Sequence, residues 1–195
     1  LLAQGDESSA RALLEQAIAS APQVPRPRMD LAALWTRAGQ ATKACKTLTE
    51  ALYAAPSAIP LIAPLLAQSA LAAGEGEATL ALLKSTYLDV PSHNMLDAIV
   101  TLEASSSELT PTARDWYARH LEKEPSLVAA TKWIAGEKLE REAYHPQVQR
   151  ALDHAVKPLT RYRCAACGFE AKVHFWQCPG CQAWDSYPAR RVEEL

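Results

Sequence analysis

The first two thirds of the chain repeat with a period of 34 residues, and this period limits the fold more than any other feature. Small residues, large apolar residues and a closing proline all recur at one offset. The matched pairs are Gly5 and Gly39, Ala10 and Ala44, Leu14 and Leu48, Ala17 and Ala51, and Pro22 and Pro56. A fixed period of this length is typical of stacked helical pairs, in which small residues let two helices cross closely. The sequence therefore predicts an α-helical solenoid.

Later copies of the repeat extend this prediction. Ala78 and Leu82 are expected at the small and large positions of the next unit, whereas its closing residue, Pro91, falls one place late. In the clearest unit, residues 26–38 are predicted to form the first helix and residues 41–54 the second. Pro64 predicts a bend or a late start in the following helix, because proline disrupts a helix interior.

The repeat resembles the tetratricopeptide repeat at Leu31, Ala32, Trp35, Gly39, Ala44, Leu48, Ala51 and Pro56. An unrelated all-helical bundle is the alternative. The predicted domains are a partial repeat containing a second helix (1–24), two repeats (25–58 and 59–91), a divergent repeat (92–125), terminal helices (126–160) and a small C-terminal module (161–195). The expected fold class is mostly α, a tetratricopeptide-type solenoid with a small C-terminal β module.

Four cysteines near the C-terminus predict the metal site. Cys164, Cys167, Cys178 and Cys181 form two C-x-x-C pairs separated by ten residues. Two such pairs can present four thiolates to one ion, either zinc or iron, and zinc is favoured as a structural ion. A four-thiolate zinc site has no open position for activating water, so catalysis by the metal is not expected. Iron in the same cage would give an electron-transfer module, which is the alternative function. A redox dithiol is disfavoured, because two pairs together indicate metal binding.

The metal module is predicted to depend on its ion for folding, since about thirty residues bury too little apolar surface alone. Residues 169–176 are expected to form a hairpin, with His174 facing solvent instead of binding the metal. The side chains expected to cover the metal are Phe169, Val173, Phe175, Trp176 and Trp184. A short connection through Lys157, without a flexible linker, predicts that the module docks against the helices.

Composition excludes several classes of protein. The net charge of −2 and the scattered basic residues give no positive electrostatic field that would attract nucleic acid, so nucleic acid is not an expected partner. Cys45 is predicted to be a small buried residue, and the cysteine pattern fits a reducing compartment. Residues 51–74 carry no charge, but their prolines argue against a membrane span, so this chain itself is expected to be soluble. No catalytic constellation is apparent, which predicts a protein that is not an enzyme.

A partner-binding surface is predicted along the first helices of the repeats, because stacked helical pairs create a concave face. Packing between repeats is the alternative role for the same positions. The candidate residues are Arg26, Met29, Ala33, Arg37, Ala63, Ala67, Met95 and Leu102.

The chain resembles the lipopolysaccharide assembly protein B family of Gram-negative bacteria. The resemblance lies in helical repeats that are followed directly by two motifs, Tyr162-Arg163-Cys164-x-x-Cys167-Gly168-Phe169 and Trp176-x-Cys178-Pro179-x-Cys181-x-x-Trp184. The resemblance implies that the four cysteines are the metal ligands. Residues 161–195 are accordingly expected to form a rubredoxin-like metal-binding module, a small zinc-ribbon β module. Gln182 departs from the glycine that the second knuckle of such modules usually carries.

This resemblance also implies partners and a location. Family members act at the cytoplasmic face of the bacterial inner membrane, anchored by an N-terminal helix that this sequence does not include. They regulate lipopolysaccharide synthesis by promoting degradation of the deacetylase LpxC by the protease FtsH, and they respond to an inner-membrane regulator. Whether the protein forms a homodimer stays open.

Overall fold

The computed structural model describes residues 7–104, 111–136 and 145–195, and of residues 111–113 it describes the backbone alone. Gly5, one of the matched repeat residues, lies outside this part of the chain. The chain divides into two compact units, Leu1–Val90 and Pro91–Leu195. The described chain is mostly α-helical and carries a small β module near its C-terminus, as predicted.

The first unit contains five described helices, each packed on its neighbours in sequence. They are α1 (Glu7–Ser20), α2 (Pro25–Arg37), α3 (Ala41–Ala54), α4 (Ile59–Ala73) and α5 (Gly76–Asp89). The helices expected at 26–38 and 41–54 are therefore α2 and α3. Proline in the first turn of α2 suits its start, because the missing N–H has no partner there anyway. Gly39 and Gly74 have φ of 71° and 74°, which glycine adopts without strain at a turn.

The repeat positions of α2 and α3 form the core of the first unit. Ala44, Leu48 and Ala51 are buried on α3, and Leu31 and Leu34 are buried on α2. Small alanines at the crossings let the helices approach closely, while the leucines fill the space between them. The predicted solenoid core is confirmed for this pair of helices.

In the next pair of helices, the buried positions lie 35 residues after those of the preceding pair. This corrects the predicted offset of 34 residues. Thr79 and Leu83 are buried on α5, whereas Ala78 is exposed and Leu82 is half-buried. These buried residues lie 35 positions after Ala44 and Leu48. The extra residue precedes α4, since Pro56 follows Pro22 by 34 residues and Pro60 follows Pro25 by 35. One added residue rotates every later helical position by about 100°.

Helix α4 passes through Pro64 without starting late. By length and composition alone, Pro56–Ala73 could cross a membrane, but half of this segment is buried within the protein. Helix α4 packs against α3 and α5. This burial fits a helix packed in the core of the first unit.

The second unit contains four described helices followed by the metal module. The helices are α6 (His93–Glu103), α7 (Pro111–Lys123), α8 (Leu127–Ala135) and α9 (His145–Val156), and the strands are β1 (Tyr162–Arg163) and β2 (Glu170–Ala171). Ser92 and Ser126 cap α6 and α8, because each hydroxyl accepts a hydrogen bond from a backbone N–H in the first turn. Strands β1 and β2 pair antiparallel, and a short 3₁₀ helix, Val192–Glu194, ends the chain.

Candidate metal centre

Two similar turns present the four cysteines. In the first turn, the N–H of Gly168 donates to the carbonyl of Cys164 at 2.9 Å, and the N–H of Cys164 donates to the carbonyl of Phe169 at 2.9 Å. In the second turn, the N–H of Gln182 donates to the carbonyl of Cys178 at 2.8 Å, and the N–H of Cys178 donates to the carbonyl of Ala183 at 2.9 Å. The last residue of each turn has a positive φ, 76° at Gly168 and 60° at Gln182. The two C-x-x-C pairs thus adopt the same backbone conformation.

The four sulfur atoms converge on one point. The Sγ atoms of Cys164 and Cys181 are 3.8 Å apart, those of Cys167 and Cys178 are 3.7 Å apart, and all four lie within 4.8 Å of one another. A tetrahedral zinc site with Zn–S bonds of about 2.3 Å places its sulfurs about 3.8 Å apart. The spacing therefore fits one tetrahedral ion bound by four thiolates.

Hydrogen bonding favours the thiolate form at one of the two buried cysteines of the site. The side chains of Cys164 and Cys178 are buried, while Cys167 and Cys181 are exposed. The hydroxyl oxygen of Ser186 lies 3.2 Å from the sulfur of Cys164. This hydrogen bond, helped by the backbone N–H groups of the same turn, lowers the pKa of Cys164 to about 6 against the opposing effect of burial.

The pKa of Cys167 shifts in the opposite direction, because the other three sulfurs lie close to it. The backbone N–H of Phe169 favours its thiolate, but the sulfurs of Cys181, Cys164 and Cys178, together with burial, raise the pKa of Cys167 to about 12. Four thiolates at this spacing repel one another, and a divalent cation removes that repulsion. The donor set and its spacing thus fit a metal ion.

Each turn is the tip of its own hairpin, which corrects the predicted hairpin at residues 169–176. Strand β2 pairs with β1, in register Tyr162 to Ala171, so the first turn lies between these strands. An antiparallel bridge between Gln177 and Trp184 flanks the second turn in the same way. The physical reason is that a C-x-x-C turn already reverses the chain and places its own flanking residues side by side.

The side chains around the sulfurs are only partly those predicted. Phe169, Val173 and Trp184 leave 44%, 58% and 58% of their surface exposed, so none is a buried cover. Phe175 and Trp176 are half-buried. Tyr187 is buried instead, with its hydroxyl donating to the carbonyl of Phe169 at 3.2 Å and lying 3.9 Å from the sulfur of Cys178. The sequence analysis missed Tyr187 because its position after the last cysteine carries no ligand pattern.

His174 is not a solvent-facing residue, contrary to prediction. Its Nε2 lies 3.1 Å from the carbonyl oxygen of Tyr187, and its ring makes edge contacts with the rings of Tyr162 and Trp176. Burial lowers the pKa of His174, which keeps the imidazole neutral near pH 7. His174 therefore belongs to the aromatic core of the module, and among the described residues the cluster that could hold a metal ion consists of four cysteines.

The module docks against the helices of its own unit, as predicted. The side-chain N–H of Asn94, at the start of α6, donates to the hydroxyl of Tyr162 at 3.0 Å. The guanidinium of Arg191 donates to the Oδ1 of Asn94 at 3.0 Å and lies 4.3 Å from the ring of Tyr162. Asn94 and Arg191 were not singled out in the sequence, because they lie 97 residues apart and neither has a motif.

Comparisons with known proteins match both parts of the chain. Residues 162–187 match a family model of the rubredoxin metal binding domain, in the zinc ribbon of lipopolysaccharide assembly protein B, and residues 1–69 match a tetratricopeptide repeat model. The chain is 44% identical over 41 residues to lipopolysaccharide assembly protein B of Escherichia coli strain K12, and equally to that of strain O157:H7. This confirms the resemblance to lipopolysaccharide assembly protein B. The aligned segment covers 20% of this chain and 10% of each relative.

Part of the predicted partner surface is an open groove on the first unit. The groove has a volume of about 640 Å³ and lies between α2, α3 and α4. Three of the residues predicted along the first helices of the repeats line it: Met29, Ala33 and Arg37. Arg26 is not among its lining residues and forms an ion pair with Asp30 at 3.6 Å.

The remaining candidates are buried or half-buried. Ala63, Ala67 and Met95 are buried, so they are not accessible to a partner, and Leu102 is half-buried. The 35-residue offset explains the error on α4, where Ala63 and Ala67 correspond to the buried Arg28 and Ala32 of α2. The residues of α4 that line the groove are Leu65, Gln68, Ser69 and Ala72.

Proposed function

We propose that this protein is a non-enzymatic adaptor that regulates lipopolysaccharide biosynthesis. In this role it promotes FtsH-dependent turnover of the deacetylase LpxC through protein contacts, at the cytoplasmic face of the inner membrane. The name of the matched relatives supports the process, and helical repeats support action through protein contacts. Candidate partners are FtsH, LpxC and an inner-membrane regulator.

The observation that carries the adaptor role is the docking of the metal module through Asn94. This buried amide bonds both Tyr162 of β1 and Arg191 of the C-terminal segment. A metal site joined to a helix start by buried side chains fixes the shape of the protein around it. A closed four-sulfur site offers no coordination position for substrate, so the metal serves structure in this proposal.

Zinc is the proposed ion, bound by Cys164, Cys167, Cys178 and Cys181. The spacing of the sulfurs matches a tetrahedral zinc site. Iron is also compatible with four cysteine ligands, and the exposure of Cys167 and Cys181 would permit electron exchange at that side. Metal analysis of the purified protein separates these alternatives, because a four-cysteine iron site gives visible absorbance that changes reversibly on reduction and zinc gives none.

Affinity capture from membranes tests the adaptor role. The full-length protein is compared with its Cys178→Ser variant, which lacks one proposed ligand. Loss of bound metal together with loss of FtsH and LpxC from the captured material is expected. Cys45→Ser is the matched control, because Cys45 is a buried cysteine of α3 outside the metal cluster. Undiminished capture of these partners by a metal-free protein would contradict the proposal.

A further inference from the structure

The end of the chain lies across the first turn of α8. The carboxylate of Glu193 accepts hydrogen bonds from the backbone N–H groups of Leu127 at 2.6 Å and Val128 at 3.2 Å. The hydroxyl of Ser126 donates to the same carboxylate at 3.0 Å. These N–H groups have no partner inside the helix, and a negative charge at this end is favourable. Glu193 thus caps α8 from a position more than sixty residues away in sequence.

The next residue caps α6 in the same way. One carboxylate oxygen of Glu194 accepts a hydrogen bond from the backbone N–H of His93 at 3.0 Å, and the other accepts from the N–H of Arg191 at 3.0 Å. The imidazole of His93 links the two caps, with Nδ1 3.4 Å from the Glu193 carboxylate and Nε2 2.9 Å from the hydroxyl of Ser126. Two adjacent carboxylates therefore hold the starts of two helices together.

The other side of this segment rests on the chain that leads into the metal site. The N–H of Val192 donates to the carbonyl of Arg161 at 2.7 Å, and the N–H of Glu193 donates to the carbonyl of Leu159 at 3.2 Å. Arg191 lies over the ring of Tyr162, which is in β1, two residues before Cys164. The C-terminal segment is thus supported by the backbone that leads into the first metal turn.

We propose that residues 191–194 form a strap that transmits the metal occupancy of the four-cysteine site to the starts of α6 and α8. A bound ion orders the turn at Cys164 and so fixes β1, against which the strap lies. When the ion is removed, the four sulfurs lose the charge that holds them together, and the small module loses its main source of folding free energy. The strap then loses its support, and both helices lose their capping carboxylates. This coupling does not depend on which partners the protein has.

Amide hydrogen exchange on the full-length protein tests the strap directly. The exchange rates at His93, Leu127 and Val128 are compared between the zinc-loaded protein and the protein treated with a chelator. Chelation is expected to accelerate exchange at these three amides about tenfold, in line with the loss of a helix cap. The amide of Leu48, in the core of α3, is the internal reference and should exchange at an unchanged rate. Unchanged protection of the three amides after metal removal would overturn the proposal.

A double variant separates the strap from general unfolding of the module. Glu193→Ala with Glu194→Ala is expected to accelerate exchange at the same three amides while zinc is bound. Coupling between two sites is reciprocal, so this variant should also bind zinc several-fold more weakly. Glu170→Ala is the matched control, because the described ion pairs of Glu170 lie within the module, with Arg163 at 2.8 Å and with Arg161 at 3.5 Å. Full protection of the three amides in the double variant would show that the strap is not the link.

Discussion

The side chain of Asn94 donates a hydrogen bond to the hydroxyl of Tyr162 at 3.0 Å, across 68 residues of sequence. Both residues are 4% exposed, so this bond is shielded from water. The other end of the Asn94 amide accepts a hydrogen bond from Arg191. One buried amide therefore joins the start of α6, the first strand of the metal module and the C-terminal strap.

Removing the Tyr162 hydroxyl should destabilise the second unit. In Tyr162→Phe, the ring keeps its volume, but the amide N–H of Asn94 is left buried without this acceptor. A buried donor that loses its partner costs about 1–3 kcal/mol. Urea unfolding of the zinc-loaded protein should show a loss of this size. The control is Tyr53→Phe, which removes a hydroxyl from a side chain that is 67% exposed and should change stability little.

Replacing Gln182 with glycine should stabilise the metal module. Gln182 has a φ of 60°, a conformation that costs an L-residue about 1–2 kcal/mol, whereas Gly168 occupies the equivalent position of the first turn. Glycine also adds entropy to the unfolded chain, so the expected net gain is about 1 kcal/mol. The midpoint of thermal unfolding of the zinc-loaded protein measures it.

Gly168→Ala is the reciprocal test of the same strain. An added Cβ at Gly168 would meet no atom within 4 Å, so any loss of stability comes from the backbone conformation. This variant should unfold at a lower temperature than the natural sequence. A higher midpoint for Gly168→Ala, or a lower one for Gln182→Gly, would contradict this account of the two turns.

Two neighbouring leucines of α5 distinguish a 35-residue offset from one of 34. Leu83→Ala should cost about 3 kcal/mol, because Leu83 is fully buried and its truncation leaves a cavity. Leu82→Ala should cost less than about 1.5 kcal/mol, since Leu82 is only half-buried. Chemical denaturation of both variants gives the comparison, and a larger loss at Leu82 would restore the shorter offset.

The stability of the second unit should fall as the pH drops below about 6.5. Burial, reinforced by the neighbouring His93, lowers the pKa of His120 in the folded state, while an unfolded histidine titrates near 6.5. Below that pH the unfolded chain binds more protons than the folded chain, so acid favours unfolding. Each proton contributes a slope of up to about 1.4 kcal/mol per pH unit.

The variant His120→Gln isolates this contribution. It removes the imidazole that is buried beside His93, with ring centres 5.2 Å apart. The free energy of unfolding of the variant should depend less on pH between 7.5 and 5 than that of the natural sequence. His174, whose pKa is also lowered, should keep part of the slope in both proteins. Equal slopes would show that His120 does not control the acid response.

Helices α2 and α3 and the cysteine turns were predictable because each depends on residues close to it in the sequence. Helices α2 and α3 follow from proline, glycine and small residues at fixed positions, and their bounds agree with prediction to within one residue at each end. The cysteine turns follow from the C-x-x-C spacing in the same way. In contrast, no sequence pattern marks the inserted residue before α4. Its effect is seen only in the structure, where Thr79 and Leu83 show which face of α5 is buried.

The sequence by itself determined that this chain forms helical repeats and places four cysteines for one metal ion, since both follow from residue types that recur at fixed spacings. The tertiary structure alone decided which helix faces are buried, that Tyr187 lies beside the sulfurs, and that Glu193 and Glu194 cap two distant helices. Those contacts join residues far apart in sequence, where no period or motif relates one partner to the other. These contacts form only when the chain has packed, and each of them stabilises that packing.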